Sequence, residues 1–293
     1  MRMCIYMVLT LLTAYQAASQ NVVSDSVPKE KKIDFTVMPF ASYNQNLKFM
    51  FGGIPMMMYR LNPDDTSSPK SLTGASAVYT TNNSYFLAFF NQIYFGEGRW
   101  RAKFFIMNGD KISQFYMDNG VDYADFYDYD SKITLVSGGL QRLIASHLFA
   151  GMSYTFAHYN TEYENNINPQ SVSSTNSLEI NAMYDSRDDV YYPKNGINAK
   201  LRWITFQEWM GNDMEANRIF LEYNTYFDMA QGRDVLAARL SGKYGLGDIL
   251  FEQQQTIGGG KIFVDIAMEH IEVMGLWLCR PNIATISISI WGL

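Results

Sequence analysis

Residues 177–206 read SLEINAMYDSRDDVYYPKNGINAKLRWITF, and this stretch decides the fold class. On both sides of the central DSRDDVYYPKNG string, apolar and polar residues alternate one by one. The apolar positions are Leu178, Ile180, Ala182 and Tyr184 before the string, and Ile197, Ala199, Leu201 and Trp203 after it. Because successive side chains of a β-strand point to opposite faces, the stretch predicts two strands that each have one apolar and one polar face.

The same two-residue period recurs over most of the chain and predicts about 11 or 12 strands before Gly258. They lie near residues 34–42, 47–60, 70–80, 84–95, 99–108, 111–117, 131–144, 147–160, 174–186, 196–206, 216–228 and 234–245. Many are longer than the usual strand of a globular sheet and suit a tilted crossing of a bilayer. Their connections are either tight, as at 81–83 and 231–232, or long and acidic, as at 118–130 and 162–173. This alternation is typical of short periplasmic turns and longer external loops.

The composition favours a membrane β-barrel over other classes. Aromatic residues make up 15% of the chain and charged residues only 18%, below the usual quarter of a soluble domain. After the N-terminus no apolar run is long enough for a transmembrane helix. The net charge of −6 argues against a nucleic-acid partner, which requires a basic surface. The region from Gln20 to Phe263 has no cysteine, so we expect neither a disulfide scaffold nor a metal or cofactor site.

The N-terminus has the order of a secretory signal peptide. Arg2 is followed by an apolar run from Cys4 to Tyr15 and then by small residues up to Ser19. We predict a signal peptide over residues 1–19, a polar lead-in over 20–32 and a partial barrel over 33–263. The alternative is a buried N-terminal helix.

The DSRDDVYYPKNG string has the pattern DxRDxxxxPxxG. Chemistry alone predicts a charged hairpin turn, in which an arginine between carboxylates fixes the shape through bidentate pairing. The string resembles the turn signature of the BamA/TamA family of outer-membrane assembly factors, also called bacterial surface antigens. The first predicted hairpin, with Pro39, Tyr43 and 51–53, is also similar to that family. By this resemblance the following residues are structural and not catalytic: Asp185, Arg187, Asp188, Pro193 and Gly196.

The resemblance implies a non-enzymatic protein of the outer membrane. Intact relatives have a transmembrane antiparallel β-barrel of about 16 strands and assist the insertion of other proteins through a weak seam between the first and last strands. The implied partners are outer-membrane lipid and unfolded outer-membrane protein clients. Two alternatives stay open: a passive pore or structural barrel, and a soluble periplasmic β-sandwich or an enzyme such as an outer-membrane phospholipase.

The sequence changes character after Phe263. In the BamA/TamA family a glycine-led Arg-Gly-Phe/Tyr motif belongs to the sixth external loop, and here Gly258, Gly259 and Gly260 stand where that motif begins. Val264 then follows instead of arginine. If one base is missing near the Phe263 codon, a permitted back-translation of the tail in the neighbouring frame reads RGYRYGTYRGNGLMAMQAEYRHYFNINLG.

Two glycines of that restored string are forced by the genetic code, at the junctions Met268–Glu269 and Met274–Gly275. We therefore predict that residues 264–293 are out of frame; the alternative is a divergent but genuine tail. On this reading the chain is a truncated copy that lacks the closing strands and the periplasmic repeat domains, which puts its assembly activity in doubt.

Two weaker candidate sites, one catalytic and one for calcium, are expected to have no such function. His147 and His158 are predicted on strands without a nucleophile or acid at motif spacing, so barrel surface is favoured over catalysis. The acidic stretch around 122–130 is rich in aspartate but lacks the glycine and terminal glutamate of a calcium loop, so a solvated external loop is favoured.

Overall fold

A computed structural model describes residues 33–118, 124–164, 169–229, 234–247 and 285–292. The chain divides into two units, Met1–Lys32 and Ile33–Leu293. The predicted signal peptide and lead-in lie outside the described residues. Within the described ranges, no helix is long and apolar enough to cross a membrane.

The second unit is built from 12 β-strands in one antiparallel sheet, in sequence order. The strands are β1 Ile33–Asn44, β2 Lys48–Tyr59, β3 Ser71–Thr80, β4 Tyr85–Phe95, β5 Trp100–Asp118, β6 Ala124–Ala145, β7 Leu148–Tyr163, β8 Ser171–Asp185, β9 Gly196–Phe206, β10 Ala216–Met229, β11 Asp234–Gly247 and β12 Thr285–Gly292. A 3-10 turn, Glu208–Met210, lies between β9 and β10. In the described part of the chain β1 pairs only with β2 and β12 only with β11, so the sheet is open. The predicted all-β class is confirmed.

The central strands are longer than the sequence suggested. The predicted strands 99–108 and 111–117 form the single strand β5, because the glycine between them stays in the ladder opposite Ile133. A Cβ at Gly109 would lie 2.7 Å from the ring of Phe86, so glycine serves close packing there instead of a turn. The aspartates Asp125, Asp128 and Asp130 lie on β6 and not in a loop.

The turns also differ from expectation in two places. His147 lies in the tight turn between β6 and β7 with φ of 60°, and not on a strand. The tight turn at 81–83 follows an odd-numbered strand, as the connections at 119–123 and 164–170 do, so it lies at the same end of the sheet as these connections. Short and long connections are therefore not fully separated between the two ends. We call the ends the odd end and the even end, after the strands that the connections follow.

The outward face of the sheet is apolar. Its side chains stack across strands: Leu140 lies opposite Met152, and Met152 lies opposite Ile180. Such an exposed apolar band would be a liability in water but matches the lipid-facing band of a membrane barrel. Exposed members of this face include Leu87, Phe89, Phe104, Ile106, Leu140, Met152, Ile180, Leu201, Trp203, Leu221 and Leu240.

The inward face has two different regions. Near the odd end, Met50, Val78 and Phe86 of β2–β4 and Leu47 of the β1–β2 turn form a buried apolar cluster, with Phe40 of β1 packed against it. On β8–β11 many of the inward positions are instead charged or amidic, and they lead to the even end, where the β8–β9 connection lies.

Candidate functional site

The β8–β9 connection, residues 186–195, is ordered by its own aspartates. One Asp188 carboxylate oxygen accepts hydrogen bonds from the amides of Asp189 at 3.0 Å, Lys194 at 2.9 Å and Asn195 at 3.1 Å. Burial would raise the pKa of Asp188, but these amide donors outweigh it and hold the pKa below its usual range. Asp189 accepts from the amide of Tyr191 at 2.6 Å. The connection is thus a defined loop and not a bare reversal of the chain.

Glycine is required where β9 begins. Gly196 has φ of +108°, and a Cβ on it would lie 2.4 Å from the carbonyl oxygen of Ser186. A side chain at this position would be strained in its backbone and would also clash.

A buried ion cluster lies at the base of this loop. The Asp185 carboxylate accepts two hydrogen bonds from Arg187, at 2.7 and 3.0 Å, in the bidentate arrangement. It also accepts one at 2.6 Å from Arg101 of β5. The residues Asp185 and Arg101 are only 7% and 8% exposed. The Arg101 guanidinium also stacks 3.7 Å above the centre of the Phe149 ring, so its charge is both paired and covered.

The loop reaches across the inner face to the first strands. The Tyr191 hydroxyl donates a 2.6 Å hydrogen bond to the carbonyl oxygen of Lys70. Its ring meets the ring of Tyr94 edge to face, with centroids 6.5 Å apart. Burial raises the pKa of Tyr191, so the hydroxyl stays protonated as a donor. Together with the Arg101–Asp185 pair, these contacts join the β8–β9 region to β4, to β5 and to the residue before β3.

A ladder of polar pairs runs along the inward positions of β8–β11. Arg202 donates twice to Glu179, at 2.9 and 2.6 Å. Lys200 donates to Glu222 at 2.9 Å. Arg239 donates to an amide oxygen, that of Asn224, at 2.7 Å. Each rung links neighbouring strands, so the ladder reinforces the backbone pairing with charge-assisted hydrogen bonds.

These elements enclose an inner cavity near the even end. It is lined on one side by Val190, Tyr191 and Pro193 of the β8–β9 connection, and on the others by inward side chains of β3–β6 and β8–β11. No group of three His, Cys, Asp or Glu residues in the described ranges is placed to hold a metal ion.

The predicted motif residues fall into two groups. The connection and its two ends bring together Asp185, Arg187, Asp188, Pro193 and Gly196. The glycines 258–260 lie outside the described residues. Arg101 falls in the strand predicted at 99–108, but nothing in the sequence indicated that Arg101 and Asp185, 84 positions apart, would pair.

A sheet with an apolar outward face and a charged inward face defines an integral β-barrel type of protein. A family model described as the Omp85 superfamily domain matches residues 71–263. The chain belongs to the Omp85 superfamily and is an outer-membrane β-barrel protein of the Omp85 type. The resemblance to the BamA/TamA family is thereby confirmed.

One solved structure supports the fold. BamA from Haemophilus ducreyi lacking POTRA domains 1–3 matches with a TM-score of 0.50 and 15% identity, over 78% of this chain and 44% of that chain. The protein thus spans less than half the length of that relative. OmpT of Vibrio cholerae matches with a TM-score of 0.38 and 11% identity, over 74% and 76% of the two chains. No curated protein sequence matches the chain.

Proposed function

We propose that this protein acts in the assembly or insertion of outer-membrane proteins, without enzymatic chemistry of its own. The observation that carries the proposal is the free edge of β1, which has a strand partner on one side only within the described sheet. A free edge offers a row of backbone N–H and C=O groups to an incoming strand, which can add by main-chain pairing.

The side chains of β1 suit a lipid-exposed seam. Ile33, Phe35 and Val37 lie on the outward face and are 59%, 69% and 56% exposed. A client strand that pairs with β1 would continue the apolar outward band on one face and the polar inward face on the other, as alternation requires. The client's side-chain pattern then sets its register, while the hydrogen bonds come from the backbone.

Cross-linking tests the seam directly. In a Cys4→Ser, Cys279→Ser background, the Val37→Cys variant is reconstituted in vesicles with an unfolded outer-membrane protein that carries one cysteine in its last strand. We expect a disulfide-linked adduct with V37C. The matched control is Val136→Cys on β6, which is paired on both sides, and it should give little adduct. Equal adduct from both variants would sink the proposal.

We also propose that the protein is located in the outer membrane and that residues 1–19 are a signal peptide that is removed. An outer-membrane protein with residues 1–19 removed should fractionate with outer-membrane markers and begin at Gln20 by N-terminal sequencing. Recovery in the soluble periplasmic fraction would contradict the proposal. The proposed partners are outer-membrane lipid and client proteins.

The charged inward face supports a second candidate, a passive pore. The inner cavity and the Glu179–Arg202 and Lys200–Glu222 pairs resemble the polar lining of a water-filled barrel. Stable single-channel conductance in planar bilayers, without any adduct at Val37→Cys, would favour the pore over the assembly role.

We also propose that the tail from Val264 is out of frame. The family match ends at Phe263, the residue after which the sequence pattern changes. Residues 264–284 lie outside the described residues, and 285–292 form β12 against β11. That pairing does not contradict the proposal, because backbone hydrogen bonds require no particular side chains. Repeated sequencing of the gene that finds an uninterrupted frame at codon 263 would overturn it.

A further inference from the structure

The inner cavity carries an excess of positive charge. Five cationic side chains line it, those of Arg101, Lys103, Arg187, Lys200 and Arg239, against one carboxylate, that of Glu222. Cavities with one sign of charge and low-dielectric walls attract counter-ions of the opposite sign.

Most of these cations are already neutralised, and two are not. Arg101 and Arg187 share Asp185, and Lys200 pairs with Glu222. Arg239 has only a neutral amide partner among the residues that the structure describes, and Lys103 makes no ion pair or hydrogen bond there. Two cationic groups thus face one cavity without an ion pair to any carboxylate that the structure describes.

Two buried donors of residues that line the same cavity also lack partners. The Nδ2 of Asn198 and the Nε of Arg101 make no hydrogen bond with described residues, although these residues are only 1% and 8% exposed. Buried N–H groups are almost always satisfied in native proteins, so each exception calls for a missing partner. A partner with several acceptor oxygens and negative charge would satisfy the donors and the cations together.

We propose that the inner cavity binds an oxyanion, a carboxylate or phosphate group, through Lys103, Arg239, Asn198 and Arg101. Lys103 supplies an ammonium that is free to turn toward the anion, and Arg239 supplies a planar fork that matches two oxygens. Asn198 and Arg101 supply fixed donors on the wall. The site lies beside the β8–β9 connection and is separate from the β1 edge.

Titration of the full chain tests this site. The protein is folded in detergent micelles at constant ionic strength and titrated with inorganic phosphate, and separately with acetate, by calorimetry. We expect saturable binding of one anion per chain. Removing a charge-assisted hydrogen bond in Lys103→Gln should weaken binding by about tenfold or more. The matched control is Lys132→Gln on the outward face of β6, which should bind like the parent.

A second variant keeps the test valid if K103Q does not fold. Asn198→Asp places a carboxylate in the wall at nearly the same volume and should abolish binding by repulsion, with folding checked by far-ultraviolet circular dichroism. Absence of saturable binding by the folded parent, or equal binding by parent, K103Q and N198D, would overturn the proposal. No client is present in this titration, so its failure leaves the proposed assembly role untouched.

Discussion

The inner face is built in two different ways, and the contrast explains what each part can do. On β2–β4 it is closed by apolar packing around Val78 and Phe86, which are each 2% exposed. On β8–β11 it carries many charged and amide side chains, only some of them paired, which line a cavity. Apolar packing needs shape alone, whereas buried charges need specific partners. The first region is therefore suited to stability and the second to binding. In the second region, the loss of one partner would leave a buried charge unpaired.

The largest effect should come from removing the shared carboxylate of the charged region. Asp185→Ala leaves Arg101 and Arg187 without their common partner, and breaking such a buried pair costs about 3–5 kcal/mol. Urea unfolding in micelles, followed by tryptophan fluorescence, measures the loss. The control is Glu97→Gln, which removes an exposed pair with Arg99 and should change stability by less than about 1 kcal/mol. A similar loss in both variants would remove the distinction between buried and exposed pairs.

The apolar region should respond nearly as strongly to a cavity. Phe86→Ala removes a ring that is 2% exposed and should cost about 3 kcal/mol in the same urea experiment. The control is Phe89→Ala, three residues further along β4. Phe89 is on the outward face and 41% exposed, so its loss should cost clearly less in micelles. If Phe89→Ala lowers the free energy of unfolding more than Phe86→Ala does, the inward apolar cluster is not the main source of stability in this region.

A smaller effect is expected at the start of β9. Gly196→Ala forces a side chain into a left-handed backbone and toward the Ser186 carbonyl, for a cost of about 1–3 kcal/mol. Gly138→Ala on β6, where an added Cβ meets nothing within 4 Å, is the matched control. Limited proteolysis of the 186–195 loop should accelerate in G196A and not in G138A; unchanged cleavage in both would contradict the strain argument.

The smallest effect should be a dependence on acid. The pKa of Asp188 is depressed in the folded protein from its ordinary value of 3.8. Its contribution to stability is therefore fully present above that value and is lost as the pH falls through the lower folded pKa. Asp188→Asn should remove this part of the pH dependence. The measurement is proteolysis of the loop by an acid-active protease from about pH 5 down to about pH 2, the range in which carboxyl groups titrate. The variant should give a flatter profile than the parent. An identical profile in the parent would contradict it.

The sequence was sufficient for the strands and insufficient for the contacts across the inner face. Alternation alone located β7–β11 to within a few residues, because the side-chain period of a strand is a local property. It misplaced the break in β5, since the glycine at 109 serves packing against Phe86 and not a turn. The DxRD string indicated the Asp185–Arg187 pairing. The roles of Arg101, Tyr94 and Tyr191 depend on the curvature of the sheet, which no local pattern encodes.

The tie between Tyr191 and Lys70 spans 121 positions of the chain, and the Arg101–Asp185 pair spans 84. Every strand pairing up to β11, by contrast, joins neighbours in sequence. Long-range contacts can form only after the intervening chain has been ordered, and their loop-closure entropy slows them. We therefore expect hairpins to add one after another first, and the Tyr191–Lys70 and Arg101–Asp185 contacts across the inner face to form in a late kinetic step.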